Sequence, residues 1–212
     1  MGFQRGGRRE GTRRYRSICY FVCEGEVTER EYVENVLRPV FGGRCMLKCL
    51  DRPHSAIEYL IRRAQEEQER LDDEGQEGEI WILLDQDLEC HSAEQFSRLH
   101  SWFSEDPKRR RVGLSVPTFE FWLWLHFEDT SFSDSNVDQR KIATRIKDYG
   151  KRKGIKKNLF TRRHLESAVA KHQGHPFPQA SHFVSNREDA PRKGSGVAIL
   201  VKELLELDSS KA

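Results

Sequence analysis

The stretch SICYFVCEGEVTEREYVENV, residues 17–36, decides the fold because a strand pattern gives way to a helix pattern within a few residues. Residues 17–23 are rich in Ile, Tyr, Phe and Val, which favours a β-strand. Thr28 and Glu31 have the T-x-x-E spacing of a capping box, and Pro39 is expected to end the helix that starts there. The turn between the two elements requires only a glycine, so the acids on either side of that glycine need another explanation.

Strand and helix patterns keep alternating after this stretch. The segment EIWILLD, residues 79–85, is apolar almost throughout, as is typical of a central strand in a parallel sheet. This β-α alternation predicts an α/β fold with a mostly parallel sheet flanked by helices and a helical C-terminal extension. The predicted strands are residues 17–23, 44–50, 79–85 and 111–116, and the predicted helices are residues 28–37, 54–74, 92–104, 117–127, 137–149, 162–172 and 194–207.

The charge distribution divides the chain into three parts. Residues 1–16 hold six arginines and one acid without periodicity, which is typical of a disordered basic arm. Residues 17–130 carry the α/β core, and residues 131–212 are predicted to be a helical part packed on it. Although the net charge is only +2, residues 66–79 are acidic and residues 140–163 are basic. This asymmetry suits a basic face offered to a polyanion, with solvated faces as the plainer alternative.

Five cysteines occur without a CxxC motif. Cys19 and Cys23 lie four residues apart in a strand pattern, as do Cys45 and Cys49, so each pair shares one face of its strand. These pairs favour buried free thiols over a four-cysteine zinc site, which would need two strands to form a tight tetrahedron. Neither a signal peptide nor an apolar run near the ~20 residues of a membrane span is present. We therefore expect a protein of the reducing cytoplasm, without a membrane partner.

Acidic side chains follow two of the predicted strands. Glu24 and Glu26 come after the first strand, and Asp85, Asp87 and Glu89 come after the third. The carboxyl ends of parallel strands meet at one edge of a sheet, where clustered carboxylates repel one another unless a cation lies between them. Mg²⁺ prefers hard oxygen ligands and keeps waters and phosphate oxygens in its remaining positions. The sequence therefore predicts a Mg²⁺ site that Mn²⁺ could also fill, with a solvated sheet edge as the alternative.

Each acid in this predicted site has a proposed role. Glu24, Asp85 and Asp87 are the predicted metal ligands, and Glu24 could instead act as the general base toward the attacking water. Glu26 and Glu89 are second choices for the same duties. Acids also favour helix N-termini, which would explain Glu29 and part of the case for Glu26.

Three segments, VCEGEVTEREYVENV, IWILLDQDLE and SVPTFEFWLWLHFED, occur in this order. Together they resemble the RloB-like family, a branch of the Toprim fold, over about residues 17–130. The Toprim pattern, a glutamate after the first strand and a DxD after a later one, is matched by Glu24 and by Asp85-Gln86-Asp87. No glycine follows the DxD closely, which departs from the wider Toprim pattern and leaves the ligand of a second metal open. The family's aromatic helix is matched at Pro117, Glu120, Trp122 and His126.

The resemblance implies a Toprim-like sheet and a Mg²⁺-dependent nuclease that cleaves RNA, including tRNA, or DNA. It also implies an effector of an anti-phage or abortive-infection defence system, whose partner is an ATPase of the ABC/SMC-like or AAA type. It places Glu120 near the acidic cluster in a catalytic role, and an acid in so apolar a helix is costly without a partner. His126 is a second-choice proton donor, although a histidine satisfied within the core is the plainer interpretation.

A second basic segment, YGKRKGIKK at residues 149–157, resembles the family's loop rich in lysine and glycine. Gly154 among lysines suits close approach of the backbone to phosphates, with a solvated loop as the alternative. Lys153 is predicted to stabilise charge on the scissile phosphate. The other predicted nucleic-acid-binding residues are Arg13, Arg14, Lys151, Arg152, Lys156 and Lys157. Four irregularly spaced histidines are expected at the surface: His164, His172, His175 and His182.

Two other functions compete with a nuclease. The first is a non-catalytic binding or regulatory subunit of an ATPase complex, in which the acids only shape a surface. Retention of Glu24 together with Asp85 and Asp87 favours catalysis over this alternative. The second is a phosphotransfer or nucleotide-ligase enzyme, which would need a glycine-rich phosphate loop that the sequence lacks.

Overall fold

The computed structural model describes residues 17–134, 137–152, 154–184 and 191–209. The predicted basic arm at residues 1–16, with Arg13 and Arg14, lies outside the described residues. The same holds for Lys153, the residue predicted to stabilise charge on a phosphate.

Five strands of the described chain form one sheet in the order β2-β1-β3-β4-β5. The first four strands are parallel, and only the short fifth strand runs antiparallel to its neighbour. This arrangement confirms the predicted α/β fold with a mostly parallel sheet. The bounds are β1 (Ser17–Cys23), β2 (Cys45–Cys49), β3 (Glu79–Asp85), β4 (Arg110–Val116) and β5 (Gly194–Ser195).

Helices flank the sheet on both faces, and most of them lie close to the predicted positions. The helix predicted at residues 117–127 is shorter, and the one predicted at residues 137–149 is replaced by two short helices. Their bounds are α1 (Thr28–Tyr32), a π-helical turn (Val33–Leu37), α2 (Arg38–Phe41), α3 (Ile57–Asp73), α4 (Ala93–Glu105), α5 (Phe119–Trp124), α6 (Gln139–Ala143), α7 (Tyr149–Arg152), α8 (Arg162–His172), a 3₁₀ turn (Ala180–Phe183) and α9 (Val197–Ser209).

The first helix continues through Pro39, so the prediction that this proline ends it is wrong. α1, the π-helical turn and α2 follow one another without a break as far as Phe41. The proline lies at the start of α2, where its missing N–H is tolerated. A π turn lengthens the hydrogen-bonded ring by one residue, so the helical path survives a residue that ordinarily interrupts it.

The predicted capping box at the start of α1 is also wrong. No side chain caps this helix, whose N-cap position is Val27. Instead, the Thr28 hydroxyl lies 3.3 Å from the hydroxyl of Tyr149, and the Glu31 carboxylate accepts the backbone N–H of Ile155. Both side chains therefore tie α1 to a part of the chain more than 100 residues away.

The short strand β5 occupies the first residues of what was predicted to be the last helix. Ser195 pairs with Ser115 of β4, and their hydroxyls lie 3.0 Å apart in the interior. The backbone N–H of Gly196 then donates to the carbonyl of Leu114 before α9 begins. A two-residue strand is too short to show the alternation of a β-strand, so it could not be predicted from periodicity.

The core consists of two hydrophobic clusters, one on each face of the sheet. Alternate residues of β1 point into different clusters, with Cys19, Phe21 and Cys23 on one side and Tyr20 and Val22 on the other, as the pleat of a strand requires. The first cluster includes α9, so the C-terminal helix packs against the sheet. The second cluster is covered by α3 and α4.

The cysteines of the strands are buried free thiols, as predicted. Cys19, Cys23, Cys45 and Cys49 all belong to the first hydrophobic cluster, whereas Cys90 is exposed. Within the described ranges these thiols form no group that could hold a metal ion. Among the same residues, no helix has both the length and the apolar character needed to cross a membrane.

Candidate functional site

The carboxyl ends of β1 and β3 meet at one edge of the sheet. Cys23 is in register with Leu83, and the backbone N–H of Glu24 extends the ladder by donating to the Leu83 carbonyl at 2.8 Å. A cavity of about 580 Å³ opens beside these strand ends, and we call it the acidic cavity. Its lining includes six carboxylates and two cations: Glu24, Glu26, Glu29, Asp85, Asp87, Glu120, Lys151 and Arg152.

Glu24 is held in place by both of its carboxylate oxygens. Oε2 accepts the backbone N–H of Asp85 at 2.9 Å, and Oε1 lies 2.8 Å from Nε2 of His91. The first contact joins the ends of the two neighbouring strands, and the second joins Glu24 to the segment before α4. Glu24 is therefore a carboxylate held in one position at the carboxyl edge of the sheet rather than a mobile surface acid.

His91 is a residue of this site that the sequence did not reveal. Its side chain is buried, and it lies edge-on to Phe96 with ring centroids 5.9 Å apart. Its position is set by Ser92, which forms a capping box with Gln95 and so fixes the start of α4. The hydrogen bond from Nε2 to Glu24 raises the pKa of His91, because the carboxylate stabilises the charged imidazolium.

Asp85 ends β3 and points into the acidic cavity. Burial raises its pKa well above the ordinary value, and the nearby charges of Glu29, Glu120 and Glu24 act in the same direction. The backbone N–H of Phe119 opposes this effect by donating to the carboxylate. Oδ1 is buried without a hydrogen-bond partner among the described residues. A largely buried carboxylate with an uncommitted oxygen is the most unusual feature of this cavity.

Glu29 lies inside the acidic cavity, although the sequence attributed it to the charge preference of a helix N-terminus. Its side chain is buried, and burial is the main reason that its pKa is raised to about 7. The negative charges of Glu24 and Glu120 raise it further. At neutral pH this carboxyl group therefore exchanges a proton readily.

Glu120 reaches the same cavity from the start of α5. Its side chain is buried, and Oε1 accepts a hydrogen bond of 3.0 Å from the hydroxyl of Tyr149. The same hydroxyl contacts Thr28, so one tyrosine joins α1, α5 and α7 around the acids. The structure thus brings Glu120 to the cluster where the family resemblance placed it. Tyr149 is a second residue of the site that the sequence did not identify.

The two second-choice residues Glu89 and His126 lie outside the acidic cavity, as does His172. Glu89 is exposed and does not line the acidic cavity. His126 is fully buried in the core, where it contacts the Tyr32 hydroxyl and the Trp122 carbonyl at 2.9 Å each, and burial lowers its pKa to about 3. The structure therefore places it as a neutral core histidine, away from a proton donor's position. His172 was predicted at the surface, but it is buried and accepts the backbone N–H of Ser195.

The basic residues predicted to bind nucleic acid divide between two places. Lys151 and Arg152, on α7, line the acidic cavity and also a second cavity beside it. Lys156 lines only the second cavity, and Lys157 is exposed next to it in the chain.

The carboxylates of the acidic cavity fit a hard divalent cation in kind. All of them offer oxygen ligands, and Oδ1 of Asp85 is not used by any hydrogen bond within the described part of the chain. However, no three acids, histidines or cysteines of the described residues converge as a ready set of ligands. Mg²⁺ takes few protein carboxylates and keeps waters or phosphate oxygens in its remaining positions.

The fold and the cavity together define a class: an α/β protein with an acidic cavity at the carboxyl edge of a mostly parallel sheet. The family model described as RloB-like protein matches residues 19–204, so the chain belongs to the RloB-like family. Searches of curated proteins and of solved structures found no match.

Proposed function

We propose that this protein is a metal-dependent nuclease that hydrolyses phosphodiester bonds of RNA or DNA. The observation that carries the proposal is Asp85, a largely buried carboxylate with an unpartnered oxygen among five other acids. Such a cluster is unfavourable without a cation. Burial of Asp85 and the neighbouring negative charges disfavour its ionised form and so raise its pKa. A bound cation would remove that penalty.

Asp85 and Asp87 are the side chains that would hold Mg²⁺ or Mn²⁺, with Glu24 as a third ligand or as general base. When bound, such an ion polarises a phosphodiester and activates water as a nucleophile. Glu24 is held by His91, so its carboxylate keeps one orientation toward the cavity. Glu29 has a pKa of about 7 and can accept a proton from the attacking water near neutral pH.

The substrate in this proposal is a nucleic acid because cations border the acids. Lys151 and Arg152 line the same cavity as the carboxylates. They can neutralise phosphate oxygens next to the reacting group, which positions a backbone without reading its bases. A site with acids alone would repel a polyanion.

The biological setting is proposed from the family. Membership of the RloB-like family supports an effector of an anti-phage or abortive-infection system. The proposed partner is an ATPase of the ABC/SMC-like or AAA type.

The test is a cleavage assay with the full chain, with and without a candidate ATPase partner of the proposed type. Labelled tRNA, single-stranded DNA and duplex DNA are incubated with Mg²⁺, with Mn²⁺ or with EDTA. We expect metal-dependent cleavage that falls by about a hundredfold or more in Asp85→Asn and Glu24→Gln. Glu69→Gln, an exposed acid on α3 outside the cavity, is the matched control and should cleave like the parent. Equal cleavage by all variants would refute the assignment.

A non-catalytic binding subunit is the second candidate, and one observation favours it. Both oxygens of Glu24 are already engaged, by Asp85 and by His91, so the cluster could serve as a charged docking surface without a metal. This function predicts no cleavage under any condition, together with ATPase binding that weakens when Glu26 or Asp87, the two exposed acids, is changed to its amide.

A further inference from the structure

A second cavity adjoins the acidic cavity along the same two helices. It also has a volume of about 580 Å³, and we call it the basic cavity. Glu29 of α1 faces the acidic cavity and Glu31 of α1 faces the basic cavity, while Lys151 and Arg152 of α7 line both. The lining of the basic cavity is Glu31, Asn35, Lys147, Asp148, Lys151, Arg152, Gly154, Ile155 and Lys156.

The far wall of the basic cavity is fixed by hydrogen bonds to its backbone. The Ile155 N–H donates to the Glu31 carboxylate, and Nδ2 of Asn35 donates to the Ile155 carbonyl at 2.7 Å. The N–H of Asn158 donates to the Asn35 carbonyl at 3.0 Å. Both polar groups of Ile155 are thus held by α1 and the π-helical turn that follows it, so the neighbouring Lys156 is carried on an anchored segment.

The basic cavity is lined by four cationic side chains. Lys147, Lys151, Arg152 and Lys156 form no ion pair with any residue that the structure describes. Four positive charges face two carboxylates, and one of these, Glu31, is occupied by the Ile155 N–H. Uncompensated positive charge held in a concave site concentrates anions.

We propose that the basic cavity binds backbone phosphates of a single nucleic-acid strand whose scissile phosphate lies in the acidic cavity. This inference rests on the proposed nuclease function and extends it to the course of the substrate. The two cavities share Lys151 and Arg152, so one strand can pass from one cavity to the other while its phosphates stay next to positively charged side chains. The described lining contains no aromatic ring on which a base could stack. Recognition there is therefore of phosphates, which RNA and DNA share, and is independent of base sequence.

Binding is measured without cleavage, by fluorescence anisotropy of labelled single-stranded RNA and DNA with the full chain in EDTA. The variant is Lys147→Ala/Lys156→Ala, because these two lysines line only the basic cavity. Lys202→Ala, an exposed lysine of α9 outside both cavities, is the control for loss of charge. Lys156→Arg keeps the charge and should bind like the parent.

We expect the double variant to bind both strands about tenfold or more weakly, equally for different base sequences. The slope of log K against log salt should fall by about 1.4, or about 0.7 for each lost phosphate contact of a single strand. Affinity and slope equal to those of Lys202→Ala would overturn the inference. A preference of the parent for duplex over single strands, or a loss confined to one base sequence, would overturn it too.

The outcomes separate this inference from the nuclease proposal. Weaker binding by the double variant, with no cleavage by the parent, supports the basic cavity and rejects the nuclease. Cleavage by the parent, with unchanged binding by the double variant, supports the nuclease and rejects the basic cavity.

Discussion

The carboxylate of Glu29 lies directly over Gly25, so closely that a Cβ atom at position 25 would be 1.9 Å from Oε2 of Glu29. The glycine between Glu24 and Glu26 therefore does more than allow a turn. It leaves the space into which a buried acid folds back from α1. The EGE sequence at residues 24–26 and Glu29 form one structural unit, because the missing side chain of Gly25 makes room for the carboxylate of Glu29.

This contact predicts that Gly25→Ala destabilises the fold by about 1–3 kcal/mol, because the new methyl group must displace a buried carboxylate. Urea denaturation measures the change. Gly43→Ala is the control, since nothing lies within 4 Å of a Cβ at that position, and it should stay within about 1 kcal/mol of the parent. In a double-mutant cycle, Glu29→Ala should remove most of the cost of Gly25→Ala. Independent, additive effects would contradict the contact.

The raised pKa of Glu29 also leads to a prediction of how the free energy of unfolding depends on pH in the absence of divalent metal. Its pKa rises from 4.5 to about 7 on folding, so between these values the unfolded chain is ionised while the folded protein keeps the proton. The free energy of unfolding should therefore fall from about pH 4.5 to pH 7, by a few kcal/mol at most, because one pKa unit corresponds to about 1.4 kcal/mol. Asp85, whose pKa is also raised, acts in the same direction.

Urea titrations in EDTA at several pH values test this dependence. Glu29→Gln should flatten the decline, because the amide has no proton to lose, and should be more stable than the parent above pH 7. Glu69→Gln, at an exposed position, should follow the parent. Parallel profiles for the parent and Glu29→Gln would show that this carboxyl group is not buried in the folded protein.

A divalent cation should stabilise the protein, because it would bind the folded acidic cavity and not the unfolded chain. At about a hundred times its dissociation constant, Mg²⁺ or Mn²⁺ adds about 2.7 kcal/mol, which raises Tm by roughly 5–10 °C for a chain of this size. Thermal unfolding followed by circular dichroism measures the shift. Asp85→Asn should abolish it, whereas Glu105→Gln, on α4, should retain it. An equal shift in all three proteins would indicate an ion bound elsewhere.

His91 should affect activity through the orientation of Glu24. His91→Ala removes the contact of 2.8 Å to Oε1, and we expect kcat/KM for nucleic-acid cleavage to fall about 10–100-fold, as is usual for residues that orient a metal ligand. His91→Gln keeps a donor near the position of Nε2 and should recover part of the loss. If the two variants have equal activity at equal stability, His91 serves only packing against Phe96.

The sequence was sufficient for the four parallel strands of the sheet and for the acidic edge that they form. Periodicity identified β1 to β4, and the rule that parallel strands end at one edge of a sheet predicted that Glu24 and Asp85 lie close together. These inferences succeed because they depend on local patterns and on a general property of parallel sheets. The same reasoning failed where a local pattern was used for a distant contact, as with Thr28 and Glu31, whose side chains bind residues 149 and 155 rather than their own helix.

The residues that were missed share one property, which is that their partners are distant in the sequence. His91 looks like an ordinary residue before a helix, and only its contact with Glu24 gives it a role. Glu29 resembles a helix-end acid until its burial is known, and Tyr149 lies in a basic segment that gives no sign of a buried hydroxyl. Hydrophobic period and motif spacing carry no information about such pairs.

The hydroxyl of Tyr149 has a consequence for how this protein could be divided or recombined. It contacts Thr28 and Glu120 across 121 and 29 residues of sequence, and the same short helix supplies both cations of the acidic cavity. A fragment that ended at residue 130 would keep every proposed metal ligand and lose the wall that encloses them. Natural or engineered exchange between relatives should therefore transfer the EGE turn and the segment around Tyr149 as one inherited unit.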